Sequence, residues 1–258
     1  MPDIATGIEI ASLLLKEAKS QGLLTKLKTL LKRKPRVLVL GCTGAGKTNF
    51  LNALVQPQPG PIPKESRTRY TEAKDLLVST NAYRFVDTPG DTERKDDRIQ
   101  AIREAMSAKG GISGVINVVS YGYHEYDLPA AQAVAAGEAR PDFLEKHRQE
   151  EIEQLAEWTH LLGNKQTVQW CVTVVTKADL WWDRKPAVME HYRKGEYFKA
   201  LRGAKSLGPR VVPFCSVFHR FYGEAKMSGV FDERDQKQTR DDLIQTLVTA
   251  MLKKQGAK

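Results

Sequence analysis

Three short segments of the 258-residue chain carry side chains whose types and spacing suit a phosphorylated ligand. The first, Gly41-Cys-Thr-Gly-Ala-Gly-Lys-Thr48, is a complete G-x-x-x-x-G-K-[ST] run. Its glycines let successive backbone N–H groups turn inward onto phosphate oxygens, and a helix beginning at its end presents a positive N-terminus to the same anion. Lys47 is expected to reach the β- and γ-phosphates and the Thr48 hydroxyl to ligate Mg²⁺. Gly41, Cys42, Thr43, Gly44, Ala45 and Gly46 complete the cradle, and Asn49, next along, is counted with the nucleotide-binding candidates. The second segment, Phe85-Val-Asp-Thr-Pro-Gly90, sets Asp87 and Gly90 in a D-x-x-G arrangement. Asp87 can hold Mg²⁺ through water, and the Gly90 N–H can read a γ-phosphate. A phosphate cradle does not choose a base, and the third segment does. Thr176, Lys177 and Asp179 follow Val172-Thr-Val-Val175. A carboxylate there accepts two hydrogen bonds from guanine N1–H and the 2-amino group. Adenine lacks that donor pair and would leave a buried acceptor unpaired.

The elements that must hold these residues follow from hydrophobic periodicity. Pro35 stops any preceding helix, and Arg36-Val-Leu-Val-Leu40 is a continuous apolar run of the kind that makes a parallel strand buried on both faces. Helix is expected over residues 47–55, a Pro/Gly-rich loop over Gln56 to Lys64, and strands near Tyr70 to Ser79 and Tyr83 to Val86. A charged helix is expected over Thr92 to Ser107 and a strand at Gly114 to Ser120. Leu128 to Leu162 reads as mostly helical, broken near Gly137 to Pro141. Strands recur at Val168 to Val175 and Arg210 to Phe214, and Asp241 to Lys254 closes the chain as a helix. Strands alternating with helices predict a largely parallel α/β sheet covered on both faces.

With those motifs in that order, the chain resembles the GTPase class of P-loop proteins over roughly residues 36–220. The resemblance implies a P-loop NTPase three-layer sandwich, a mostly parallel sheet with helices on both faces, with GTP or GDP and Mg²⁺ as cofactors. It implies that Gly41 to Thr48 is the phosphate loop, that Asp87 and Gly90 begin switch II, and that Thr176, Lys177 and Asp179 form the base motif. Thr176 stands where the family usually has Asn. Val212-Pro-Phe-Cys-Ser216 resembles a fifth motif, with Cys215 in its serine position and Ser216 in the alanine position whose N–H would meet guanine O6. For switch I, Ser66, Thr68 and Thr71 compete; Thr68, 19 residues before Asp87 and followed by Arg69, matches the spacing of Era-like GTPases. Thr48, Thr68 and Asp87 are thus the metal candidates, and Lys47, Thr68 and Gly90 those for hydrolysis. The family often places Gln after the switch II glycine, but Asp91 stands here, and a carboxylate beside the γ-phosphate repels the developing charge. Slow GTP hydrolysis is therefore expected unless Thr92, Arg67, Arg69 or a partner supplies the missing group. A nucleotide-dependent scaffold with little hydrolysis is the alternative. The Thr-Gly-Ala-Gly-Lys run resembles septin-like and immunity-associated GTPases, relatives that often pair across their nucleotide sites, which implies a GTP-dependent homodimer. An ATP-using kinase or transporter has no need of the Thr-Lys-x-Asp motif.

Charge is concentrated outside the motifs. The net formal charge is +9, yet residues 1–36 alone carry eight basic and three acidic side chains, and residues 237–258 carry five basic and two acidic. The body between them is close to neutral. Residues 1–34 show two amphipathic repeats, Ile4, Ile8, Ala11, Leu15 and Ala18, then Leu23, Leu27, Leu30 and Leu31, and are read as a helical extension ahead of a G domain spanning 35–258. That extension can pack, self-associate or lie peripherally on an anionic membrane; ribosome or RNA contact is less favoured, because interleaved aromatics are absent. No apolar run approaches the length of a membrane span. Three cysteines without a CxxC pair fit a reduced, cytoplasmic setting. His124, His147, His160, His191 and His219 lack metal-ligand spacing and are expected to pack or to face solvent. Tyr121, Tyr123 and Tyr126 are assigned equally to packing or a partner patch, and Trp181 and Trp182 to the core or the rim of the base site.

Overall fold

The computed structural model describes residues 36–55, 72–78, 81–88, 95–108, 111–163, 168–202, 210–218 and 220–252. The N-terminal extension, the Gln56 to Lys64 loop and the switch I candidates lie outside them, as do Gly90, Asp91 and Thr92.

The elements run β1 (Arg36–Leu40), α1 (Lys47–Val55), β2 (Glu72–Val78), β3 (Asn81–Asp87), α2 (Lys95–Ser107) and β4 (Ile112–Val119). A short turn of helix, α3 (Ala130–Ala133), precedes the two-residue strands β5 (Val134–Ala135) and β6 (Glu138–Ala139) and the long α4 (Pro141–Gly163). Then come β7 (Trp170–Val175), α5 (Lys185–Lys194), α6 (Glu196–Arg202), β8 (Val211–Pro213) and α7 (Glu233–Leu252). The main sheet has six strands in the order β2-β3-β1-β4-β7-β8. All neighbours are parallel except β2, which pairs antiparallel with β3. Because β1 sits between β3 and β4, the chain reverses its winding direction there, and the loops leaving the carboxyl ends of β1, β3, β4 and β7 open onto one crevice.

Alternation along β1 builds the three layers. Val37 and Val39 project into one core with Phe50 of α1 and Leu243 and Leu247 of α7. Leu38 and Leu40 project into the other with Ile102 of α2, Trp158 of α4, Val188 of α5 and Leu201 of α6. Two strand residues on the second face are polar. Asn117 and Thr173 are buried there and share the Tyr197 hydroxyl, at 2.5 and 3.1 Å, so neither polar group is orphaned. Arg98 of α2 grips Glu157 of α4 through both carboxylate oxygens, at 3.1 and 3.2 Å.

The structure corrects the expected elements in three places. The helix expected from Leu128 to the break near Gly137 is only the four residues of α3, and the antiparallel pair β5–β6 follows it. Residues 185–202, left unassigned from sequence, form α5 and α6, broken at Gly195, whose N–H donates to His191 O. Helix α7 begins at Glu233, eight residues before the expected Asp241, because Asp232 caps it: Asp232 Oδ1 accepts from Arg234 N and Asp235 N at 2.8 and 3.0 Å, and Asp235 returns a bond to Asp232 N.

Candidate functional site

The phosphate loop owes its shape to two close approaches. Gly41 leaves β1 with φ +142°, and a Cβ there would lie 2.1 Å from Val118 O. Gly44 has φ +74°, and a Cβ would meet Glu125 N at 2.5 Å. Only glycine meets both demands. Lys47 opens α1 and is buried, its ammonium donating to Gly41 O at 2.7 Å and Cys42 O at 3.1 Å, so the charge is held inside the curl of the loop. Thr48 and Asn49 follow in the first helical turn, whose backbone N–H groups form the positive end of the helix. Cys42 is buried, and burial pushes its thiol well above the ordinary range, which leaves it a packing residue rather than a reactive thiolate.

Asp87 ends β3, in register with Val39 of β1. The next residue, Thr88, is buried and donates from both N and Oγ1 to Val39 O, at 3.3 and 3.1 Å. This double bond to the strand feeding the phosphate loop positions the start of the candidate switch II beside that loop. The Asp87 side chain, Gly90 and Thr68 lie outside the described residues.

At the end of β7 the base motif is joined to the phosphate loop. Thr176 Oγ1 lies 2.6 Å from Ala45 O and 3.0 Å from Val119 O; its single proton ties the motif to the loop or to β4. Lys177 adopts φ +54°, and its ammonium donates to Tyr123 O at 2.5 Å. Burial lowers its pKa to about 8, against the opposing pull of Glu125, Asp179 and Glu151. Asp179 is buried on a 3₁₀ turn, and the Cys215 thiol, 3.2 Å from its Oδ1, donates to it. Cys215 therefore touches the candidate base motif through Asp179, while Ser216, partly exposed, offers its carbonyl to Gln236 Nε2 at 3.2 Å. Trp181 is wholly buried and donates from Nε1 to Thr176 O; Trp182 is partly exposed, with the Lys185 ammonium 3.7 Å from its ring centroid. The first belongs to the core and the second to the rim.

The segment after β4 contributes more than its sequence foretells. Glu125 N donates to Gly44 O at 3.3 Å, and Tyr123 O receives Lys177, so residues 120–126 brace both motifs. Beneath them, buried Glu151 of α4 accepts from Ser120 N, Gly122 N and His124 Nε2 on one oxygen and from the Tyr192 hydroxyl, at 2.6 Å, on the other. Burial favours the protonated acid, but the bond and charge of His124, with the Ser120 and Tyr192 donors, outweigh it and hold this carboxyl below the ordinary range. Tyr123 is buried and Tyr121 and Tyr126 are half-buried, which favours packing for all three. Sequence reasoning missed Glu151 and Glu125 because no local pattern marks a single Glu on a Glu-rich helix as buried.

A glycine cradle that any Cβ would fill, a buried ammonium, a hydroxyl in the first turn of α1 and a buried carboxylate at the far end fit a guanine nucleotide with Mg²⁺. Among curated protein sequences, none matches the chain. Among solved structures, the mammalian SRP receptor is 14% identical, covering 83% of this chain and 99% of that one with a TM-score of 0.51. Toc33 from Arabidopsis thaliana is 15% identical, covering 95% and 93% with a TM-score of 0.50. At that identity they speak for the fold. Residues 36–175, more than half of the chain, match the profile of the 50S ribosome-binding GTPases, and the protein belongs to this GTPase family.

Proposed function

We propose that this GTP-binding G domain is a Mg²⁺-dependent molecular switch that hydrolyses GTP slowly by itself. The observation that carries the reading is the 2.6 Å contact from Thr176 Oγ1 to Ala45 O, which joins a guanine-selecting motif to a phosphate loop. In this assignment Lys47 neutralises the β- and γ-phosphates and Asp179 selects guanine. Thr48, Asp87 and Thr68 hold Mg²⁺, Gly90 N–H reads the γ-phosphate and Ser216 N–H meets guanine O6. Bound Mg²⁺ supplies charge neutralisation at the phosphate oxygens. Asp91 after Gly90 underlies the slow rate; the 19-residue interval from Thr68 to Asp87 supports an Era-like relationship, and the Thr43-Gly-Ala-Gly-Lys47 run a septin-like one.

Competition of GTP and ATP for the wild type, Lys47→Ala and Asp179→Asn tests this reading. Lys47→Ala is expected to lose nucleotide, and Asp179→Asn to lose guanine preference. Equal competition by ATP, or an intact preference in Asp179→Asn, overturns the base assignment.

The second reading is a GTP-dependent assembly scaffold that barely hydrolyses. Asp91 favours it, and the fold neighbour Toc33 was crystallised as a dimerization-deficient mutant, which makes a homodimer worth testing. Phosphate release over many turnovers, alone and with liposomes or ribosomes, separates the two. Light scattering with GDP and with a GTP analogue tests the dimer, and an unchanged monomer in both removes it.

A further inference from the structure

Beside the segment that braces the phosphate loop, three side chains from two parts of the chain turn metal-ligating atoms toward one point. His124 follows β4, and His147 and Glu150 lie one turn apart on α4. One ligand atom from each lies within 4.8 Å of the other two. Glu150 Oε2 is 4.0 Å from His124 Nδ1 and 3.8 Å from His147 Nε2. Both imidazoles are 1% exposed, whereas Glu150, at 30%, opens the cluster to solvent on one side.

The other nitrogen of each ring distinguishes this cluster from chance crowding. His124 Nε2 is 3.0 Å from Glu151 Oε1, a carboxylate oxygen that accepts, so Nε2 is the nitrogen that carries a proton to it and Nδ1 is the one turned toward the cluster. His147 Nδ1 is 2.7 Å from Phe143 O, which fixes the proton on Nδ1 and the lone pair on Nε2. One imidazole anchored on a carboxylate and the other on a backbone carbonyl is the arrangement that orients histidines toward a metal. Neither ring takes part in the phosphate or base contacts.

We propose that His124 Nδ1, His147 Nε2 and Glu150 Oε2 form a binding site for a divalent transition-metal ion of the zinc class, distinct from the Mg²⁺ position at Thr48. Two imidazoles and a carboxylate suit Zn²⁺ and its borderline neighbours better than Mg²⁺ or Ca²⁺, which take oxygen ligands. Tetrahedral ligands at about 2.0–2.1 Å from the metal stand about 3.3 Å apart, so the cluster must contract. Glu150 is the residue free to move, since its ion pair with Lys146 is long, at 3.9 Å, and exposed. The Tyr126 hydroxyl, 2.9 Å from His147 Nε2, gives up that lone pair when the ion binds and is left to bond a water in the fourth position. Because Glu125 N reaches Gly44 O, an ion on His124 also stiffens the segment that braces the phosphate loop.

The test is a titration of the full-length protein with Co²⁺ in excess Mg²⁺, read by its visible absorption. One equivalent is expected, with the intense bands of a four-coordinate ion and displacement by Zn²⁺. Glu150→Ala, at a partly exposed position, and His147→Gln are each expected to weaken Co²⁺ binding more than about tenfold, with GDP affinity and the metal-free Tm of Glu150→Ala unchanged. No intense band at saturating Co²⁺, or wild-type Co²⁺ affinity in Glu150→Ala, overturns the proposal. Failure of the nucleotide reading leaves this result unaffected, because the titration contains no nucleotide.

Discussion

Asp179 is buried, and in the proposed assignment a carboxylate that receives two donors from a base needs a fixed orientation before the base arrives. The Cys215 thiol supplies it at 3.2 Å, with its own proton held on by burial, which pushes this thiol far above the ordinary range, and by the neighbouring Asp179 charge. Removing one such bond costs about 1 kcal/mol, so Cys215→Ala is expected to weaken GDP binding about fivefold, and Cys215→Ser to restore it. Titration with a fluorescent GDP analogue checks this; wild-type affinity in Cys215→Ala would leave the thiol a packing role only. Lys177 yields a pH dependence. Its folded pKa is about 8 against an ordinary value of 10.5, so between those limits the unfolded chain holds the proton that the folded one has released. Stability contributed by this side chain therefore rises from pH 8 to 10.5, and below pH 8 it is flat at its least favourable. Measured as Tm, the wild type is expected to gain on Lys177→Met across that window. A constant or shrinking gap would show that the ammonium is not buried as described.

The strands were the most legible elements. β1, β4 and β7 are buried on both faces and announce themselves as apolar runs, unbroken in Val37 to Leu40 and interrupted by one polar residue each, Asn117 and Thr173, in Val115 to Val119 and Cys171 to Val175. Helices α5 and α6 were not legible, because Lys, Arg and Glu outnumber their few anchors, Val188, Met189, Tyr192, Tyr197 and Leu201. Those anchors do recur at helical spacing, with Pro186 at the start and Gly195 as the break, so the signal existed but was thin. The early start of α7 rested on a polar device, the reciprocal Asp232–Asp235 cap, rather than on periodicity. Asp232→Ala is expected to cost about 1 kcal/mol, read as a lower urea midpoint with an unchanged slope; an unaltered midpoint would mean that α7 is held by Leu243 and Leu247 alone.

At the scale of the molecule, the basic character lies at the two ends of the chain and the nucleotide machinery in a near-neutral body. Among the described residues, no helix is long and apolar enough to cross a membrane. Deleting residues 1–34 is expected to leave GTP binding intact and to change only where, or with what, the protein assembles. Nucleotide titration beside liposome flotation and light scattering checks this, and loss of GTP binding in the shortened chain would show that the extension belongs to the G domain. The phosphate-loop run and the candidate switch II and guanine motifs are visible in the amino-acid order, because each is a short segment whose chemistry depends on its own backbone turn and on a few adjacent side chains. Only the tertiary structure joined Thr176 to Ala45, set Cys215 on Asp179, buried Glu151 under residues 120–126 and drew His124 to His147 and Glu150. Those contacts span 23 to 131 residues of chain, and they form where β4 and β7 align in parallel register and α4 packs across them. No local pattern encodes that geometry, since it depends on which distant segments the two hydrophobic cores bring side by side.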